Sequence, residues 1–348
     1  MTRGQCLKER EVKGILHEEE LKRLEEDSKK LDPNEARLSA NNRVKVNHVA
    51  IAKAFDERSK LSLEEYESLT RELVRNLGRL RGVKISSIKS LLKRGANPNG
   101  LESPHRTIQN TPIGRAAKIS RFLAVLLEYG VDINVEMKAD PPLEGQITAL
   151  GIAAQNGNLR IVRMLLLAGA NVNGPEHGIS PIHAFLSTAW MTDNCIEILS
   201  LLATHGANVN ETAGIWFTAL QSVCSVPETD VAAHSIELAV AQLLSYGANP
   251  NIHGGLYGSA IHAAVTVLNF NTVQLLLQHG ADPGLRATCA FTGRSKLLHI
   301  RYTRCEDVTP LELLDKLWLA YSKDSRSKAL KIRTLLEGAI SSWSSSNV

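Results

Sequence analysis

The chain has 348 residues, 43% of them apolar and 22% charged, with 40 Lys and Arg against 36 Asp and Glu. No run approaches the ~18 apolar residues of a membrane helix, and the opening MTRGQCLKEREVKG holds no apolar signal core, so neither a membrane-spanning nor a secreted protein is expected. The five scattered cysteines, Cys6, Cys195, Cys224, Cys289 and Cys305, form no close pair of zinc-site spacing, which fits reduced thiols in a cytoplasmic or nuclear setting.

Charge is unevenly placed. Residues 1–94 carry 22 basic against 16 acidic side chains, 95–283 carry 7 against 14, and 284–305 carry 5 against none. A nucleic-acid binder concentrates basic charge on its main surface, so this acidic central body argues against DNA or RNA as the chief partner.

In chain order, residues 1–38 read as a charged, exposed helix supported by Glu18–Lys22 and Glu19–Arg23 pairs. It stands as a solvated or loosely docked helix, as a partner-binding or dimerising one, or as a disordered stretch. Residues 44–55 and 63–78 read as two amphipathic helices, the second opened by a Ser62–Glu65 capping box. From residue 85 the chain becomes periodic. Glycines that terminate helices recur at Gly95, Gly130, Gly169, Gly206, Gly247 and Gly280, five of them in GAN or GAD. Helix openings recur between them: TPIGRAA (111–117), TALGIAA (148–154), SPIHAFL (180–186), TALQSVC (218–224), SAIHAAV (259–265) and TPLELLD (309–315). The leading hydroxyl of each is expected to cap its helix, and Pro112, Pro181 and Pro310 suit a first turn. Paired leucines such as Leu126/Leu127, Leu165/Leu166 and Leu243/Leu244 are the expected core. His183, His262, His205 and His279 read as structural hydrogen-bonding side chains.

These two motifs, alternating in phase over about residues 84–340, closely resemble the ankyrin-repeat family. The resemblance implies an all-α solenoid of helix pairs with projecting hairpin-like loops, and a concave surface that binds protein. Residues 1–80 would form a charged helical N-terminal region and cap, 81–340 the array with a long insert at 284–308, and 341–348 a flexible tail.

Distinctive function is expected where the array is irregular. Residues 101–110 and 135–147 lengthen two fingers, the second with Pro141-Pro142 and the acids Glu136, Asp140 and Glu144. They read equally well as spacers and as binding loops. Residues 185–199 and 222–238 lengthen turns within helix pairs, placing Trp190 and Met191 on the back of the stack or against a partner. The insert interleaves Arg286, Arg294, Lys296, Arg301 and Arg304 with Phe291, His299 and Tyr302. It pairs with the chain's own acids, meets a protein partner or contacts nucleic acid, since arginine and aromatic groups together engage carboxylate, phosphate and flat surfaces. His177, Trp216, His253 and Tyr257 fall at comparable phases of successive fingers and complete a candidate binding set with Phe291, Arg294, His299, Arg301 and Tyr302.

The reading these features support is a non-catalytic protein-interaction scaffold, with no metal and no cofactor. The alternative is a small-molecule or catalytic site closed by the insert, in which Asp140, Glu144, Glu176, His177, His253, Tyr257 and His299 supply acid–base groups. No diagnostic catalytic spacing accompanies them.

Overall fold

The computed structural model describes residues 47–79, 82–101, 106–140, 145–176, 178–188, 194–212, 217–227, 233–292, 302–318 and 321–346. The charged helix expected at 1–38 lies outside this set. The chain divides into two compact units, one running to His177 and one from Gly178 onward, with residues 154–157 grouped with the second.

The first unit holds α1 (His48–Ser59), α2 (Leu63–Leu77), α3 (Ile85–Lys93), α4 (Pro112–Ala116), α5 (Ser120–Glu128), α6 (Ala149–Gln155) and α7 (Leu159–Leu167). Asn47 caps α1 by accepting the Ala50 N–H at 2.9 Å, so this helix begins later than the apolar pattern suggests. The Ser62–Glu65 capping box is present on α2. On that helix Leu69, Leu73 and Leu77, four residues apart, form the stripe that meets α3 and α4. α3 lies between α1 and α5, and α5 contacts α7. Each helix is too short to persist alone and owes its stability to such neighbours. Arg58 of α1 ties the N-terminal pair to the first repeat by donating to the Gly95 and Ala96 carbonyls at 3.1 and 3.3 Å.

The second unit holds α8 (Pro181–Thr188), α9 (Cys195–Thr204), α10 (Ala219–Cys224), α11 (Ala233–Ser245), α12 (Ala260–Thr266), α13 (Phe270–Gln278), α14 (Pro310–Leu317) and α15 (Lys323–Ser346). Two rows are stacked. α8, α10, α12 and α14 touch in succession, and so do α9, α11, α13 and α15. Strands β1 (Met137–Lys138) and β2 (Gln146–Ile147) of the first unit, and β3 (Ala287–Thr292) and β4 (Tyr302–Val308) of the second, lie in the connecting fingers. α15 starts at Lys323 and runs to Ser346, taking in the charged stretch expected to be a turn and reaching past Ile340.

All six terminating glycines have positive φ, from +69° to +100°, where a Cβ would be strained. The next residues explain the GAN and GAD signature. Asn97, Asp132, Asn171, Asn208, Asn249 and Asp282 each accept the N–H two residues on, at 2.8–3.1 Å, and fold the chain into a finger. The asparagine after that reaches the following finger. Asn99 accepts from Asp132 N–H, Asn134 from Asn171, Asn210 from Asn249 and Asn251 from Asp282, at 2.6–2.8 Å. Asn251 also donates to the Gly280 carbonyl at 2.8 Å, so Asn251→Ala should strip two backbone groups of partners. A loss of about 1–2 kcal/mol is expected in urea unfolding, with faster amide exchange at Asp282.

Candidate functional site

The hydroxyls that open the inner helices divide into two sets. Thr148, Thr218 and Thr309 accept helix N–H groups, from Gly151, Gln221 and Glu312. Ser180 and Ser259 instead lie 2.7 Å from the Nδ1 of His183 and His262, and Thr111 donates to the Thr107 carbonyl and to the Met137 sulfur. The expectation of uniform capping is thus corrected at these three. A side chain three residues on, or a finger folded back, offers the hydroxyl a better partner.

That side chain, at the fourth position of the opening, braces the next finger. His183 Nε2 bonds the Phe217 carbonyl at 3.3 Å, Gln221 Nε2 the Ile252 carbonyl at 3.0 Å and His262 Nε2 the Val308 carbonyl at 2.9 Å. A carbonyl only accepts, so both imidazoles carry a proton on Nε2, and His262 takes the Ser259 O–H on Nδ1. Burial pushes both pKa values down, His262 to about 4. In the first unit the fourth positions are Gly114 and Gly151, and a Cβ at Gly114 would stand 2.8 Å from the Met137 sulfur and from the Ile108 carbonyl. Met137, fully buried on β1, occupies that space. Its neighbour Lys138 takes the Arg106 carbonyl at 2.8 Å, joining the 101–110 and 135–147 fingers. Along this finger Asp132, Asn134, Glu136 and Lys138 are exposed while the residues between them are buried. Asp140 accepts from Gln109 at 3.3 Å, and Pro141, Pro142 and Glu144 lie outside the described residues.

Residues 80–176 match a family described as ankyrin repeats, in three copies, and residues 259–288 match a single ankyrin repeat. The glycine turns, Asx-folded fingers and paired helices recur in phase around and between those segments. The chain belongs to the ankyrin-repeat family. Its fold class is the all-α ankyrin solenoid of paired helices. An ankyrin repeat protein of Acanthamoeba polyphaga mimivirus is 27% identical over 62% of this chain and 47% of its own length. One from Fowlpox virus is 27% identical over 44% of this chain and 36% of its own, and a second from the same virus is 29% identical over 44% and 42%. The chain therefore spans less than half the length of these curated relatives. The ankyrin repeat domain of human ASB11 superposes with a TM-score of 0.50 at 20% identity, covering 76% of this chain and 96% of that one, a likeness of fold alone.

In this ankyrin array the insert is a hairpin. β3 and β4 pair antiparallel, with Ala287 opposite Val308 and Thr292 opposite Tyr302. Ala290 N–H donates to the Leu256 carbonyl at 2.8 Å and the Cys289 thiol to the Tyr257 carbonyl at 3.2 Å, so the hairpin lies along the 252–258 finger. Gly258 permits this contact, because a Cβ there would meet the Ala287 Cβ at 2.8 Å. Between finger and hairpin opens a cleft of about 480 Å3 lined by His253, Gly254, Arg286, Thr288, Arg304 and Asp307 among others.

The hairpin's described basic groups pair locally. Arg286 forks onto Glu312 at 3.0 and 3.1 Å and donates to the Asp307 carbonyl, while Arg304 meets Glu306 at 3.0 Å. Of the sequence candidates, the structure brings His253 to this cleft and leaves Tyr257, half-buried on the same finger, out of its lining; burial pushes the Tyr257 phenol pKa up. Phe291 and Tyr302 are placed on β3 and β4 by their backbones. His177, Trp216, Arg294, His299 and Arg301 lie outside the described residues, as do Trp190 and Met191.

Two features escaped the sequence reading. Phe217, beside the more conspicuous Trp216, has φ +73° and lays its ring over Gly254 of the next finger. A bulky residue held there costs on the order of 1–2 kcal/mol, which the His183 bond to its carbonyl helps to offset. Glu211 is the second. Burial pushes its carboxyl pKa up against the opposing effect of the Ser180 hydroxyl, and among the described residues its Oε2 is buried with no hydrogen-bond partner. No group of three His, Cys, Asp or Glu among the described residues could hold a metal, and no described helix is long and apolar enough to cross a membrane.

Proposed function

We propose that the protein is a non-catalytic interaction scaffold that grips a protein partner with its fingers. The contact in the second unit would centre on the cleft between the 252–258 finger and the β3–β4 hairpin. The observation that carries this reading is the shape and lining of that cleft. It is an open trough lined by His253, Arg304 and Asp307, next to backbone carbonyls of Ile252 and Val308 that Gln221 and His262 hold. Arg304 keeps most of its side chain exposed beside its Glu306 contact, so such a surface would accept an extended segment bearing a carboxylate for that guanidinium and a donor for Asp307. Phe291 and Tyr302, on β3 and β4, would extend this contact, while Arg294, His299, Arg301, His177 and Trp216 belong to the candidate set by their place in the sequence alone.

The test is affinity capture with the full chain, followed by titration of the captured protein. The double variant His253→Ala/Arg304→Ala is expected to bind at least about tenfold more weakly, roughly 1.4 kcal/mol, while Lys331→Ala, at an exposed position of α15, binds as the parent does. Capture of no protein, or equal binding by all three forms, would overturn the proposal.

A further inference from the structure

Cys289 and Cys305 stand directly opposite each other on β3 and β4. Both side chains point to the buried face of the hairpin, 0% and 3% exposed, and both are free thiols. Opposed residues of antiparallel strands lie about 4.5–5.5 Å apart at Cα, inside the roughly 4.4–6.8 Å that a disulfide spans. The Cys289 thiol is pushed up to about 12 by burial and, secondly, by the charge of Cys305, as expected of two sulfurs close together. Cys195 and Cys224 are buried on α9 and α10, in no such register.

We propose that Cys289 and Cys305 are a reversible dithiol–disulfide pair that ties β3 to β4 when the protein meets a small-molecule disulfide such as oxidised glutathione. Cys305 attacks first. Its thiol, also raised by burial, is lowered by the Lys316 ammonium, whereas the Cys289 S–H is held by the Tyr257 carbonyl. The Cys305 thiolate displaces one glutathione thiolate, which takes up the proton that Cys305 released, and leaves a mixed disulfide. Cys289 then gives up its proton and attacks the Cys305 sulfur, and the second glutathione leaves as thiolate and is protonated. Two protein thiols are oxidised and one glutathione disulfide becomes two thiols. Burial makes both attacks slow at neutral pH and couples them to opening of the hairpin, so the rate rises with pH.

The bond would close a loop containing Arg294, His299 and Arg301. It would also remove the S–H that now holds the hairpin to the Tyr257 carbonyl. Oxidation therefore stiffens the hairpin while loosening its seat on the 252–258 finger. Its effect on partner binding rests on the function proposed above; the disulfide itself does not.

The full chain should be equilibrated in glutathione buffers from reducing to oxidising, blocked by alkylation, and mapped by mass spectrometry without reduction. A Cys289–Cys305 linked peptide is expected to dominate under oxidising conditions and to vanish with reductant. Cys195 and Cys224 should remain open to alkylation once the protein is denatured. In Cys289→Ser, Cys305 should stop as its glutathione adduct. If serine at that buried site prevents folding, oxidation of the parent chain in denaturant supplies the reference, and the native protein must give a larger 289–305 share than that mixture. No linked peptide even at alkaline pH, or pairing no more selective than in denaturant, overturns the inference. Neither readout involves the partner, so it can fail while the scaffold reading stands, and the converse also holds.

Discussion

Replacing Phe122 by alanine is expected to cost about 3–5 kcal/mol, read as a lowered urea midpoint with an unchanged slope. Phe122 is fully buried on α5, which contacts α3, α4 and α7 within the first unit. Deleting the ring removes its burial and leaves a cavity whose walls are themselves helices of nine residues or fewer. Those helices depend on α5, because in a repeat array each element is stabilised by its neighbours. Amide exchange should therefore accelerate in α3 and α7 as well as in α5. Phe55 supplies the control. It is 46% exposed on α1, and Phe55→Ala should change stability by less than about 1 kcal/mol. Equal effects of the two substitutions would show that apolar content, and not the packed seam between helices, sets stability here.

The core and its punctuation were legible because they are local. A helix-ending glycine needs only positive φ, and the leucine pairs follow helical periodicity. Leu126, Leu165, Leu243 and Leu276 are fully buried as the pattern requires, whereas Leu201 and Leu275 are only half-buried, since exposure also depends on the neighbouring helix. What the sequence reading could not supply are bonds between residues about 30 to 46 positions apart. Asn134 meets Asn171, Gln221 meets Ile252 and His262 meets Val308, and no local property of these residues names the partner. Recurrence was the available clue. Asparagine returns at the fifth place of GANVN and GANPN, and histidine or glutamine at the fourth place of three openings, which is the signature of a bond repeated down a stack. The hairpin was partly legible. Its basic charge suits either a contact surface or a tie to the chain's own acids, and Arg286 and Arg304 meet Glu312 and Glu306 while staying partly exposed. The pairing of Cys289 with Cys305 follows from strand register, which fifteen intervening positions conceal.

Acid should loosen the second unit through His262. Its side chain is 0% exposed, donates from Nε2 to the Val308 carbonyl at the end of β4, and accepts the Ser259 hydroxyl on Nδ1. Burial holds its pKa at about 4, against 6.5 for the unfolded chain. The unfolded state therefore binds a proton first as pH falls. Stability is full above pH 6.5 and declines through the interval down to about 4, where the folded protein also becomes protonated. A separation of this size corresponds to a loss of about 3 kcal/mol. His183, buried and shifted the same way, adds to the slope. Many carboxylates titrate in the same range, so the decisive quantity is the difference between the parent and His262→Gln. Glutamine already performs this brace at position 221, reaching the Ile252 carbonyl with its amide. The variant should keep the hairpin anchored at neutral pH, and its urea midpoint should fall less steeply than the parent's between pH 6.5 and 4. Parallel pH profiles for the two proteins would show that His262 is not buried as a neutral group, and that the base of the hairpin is held by other contacts.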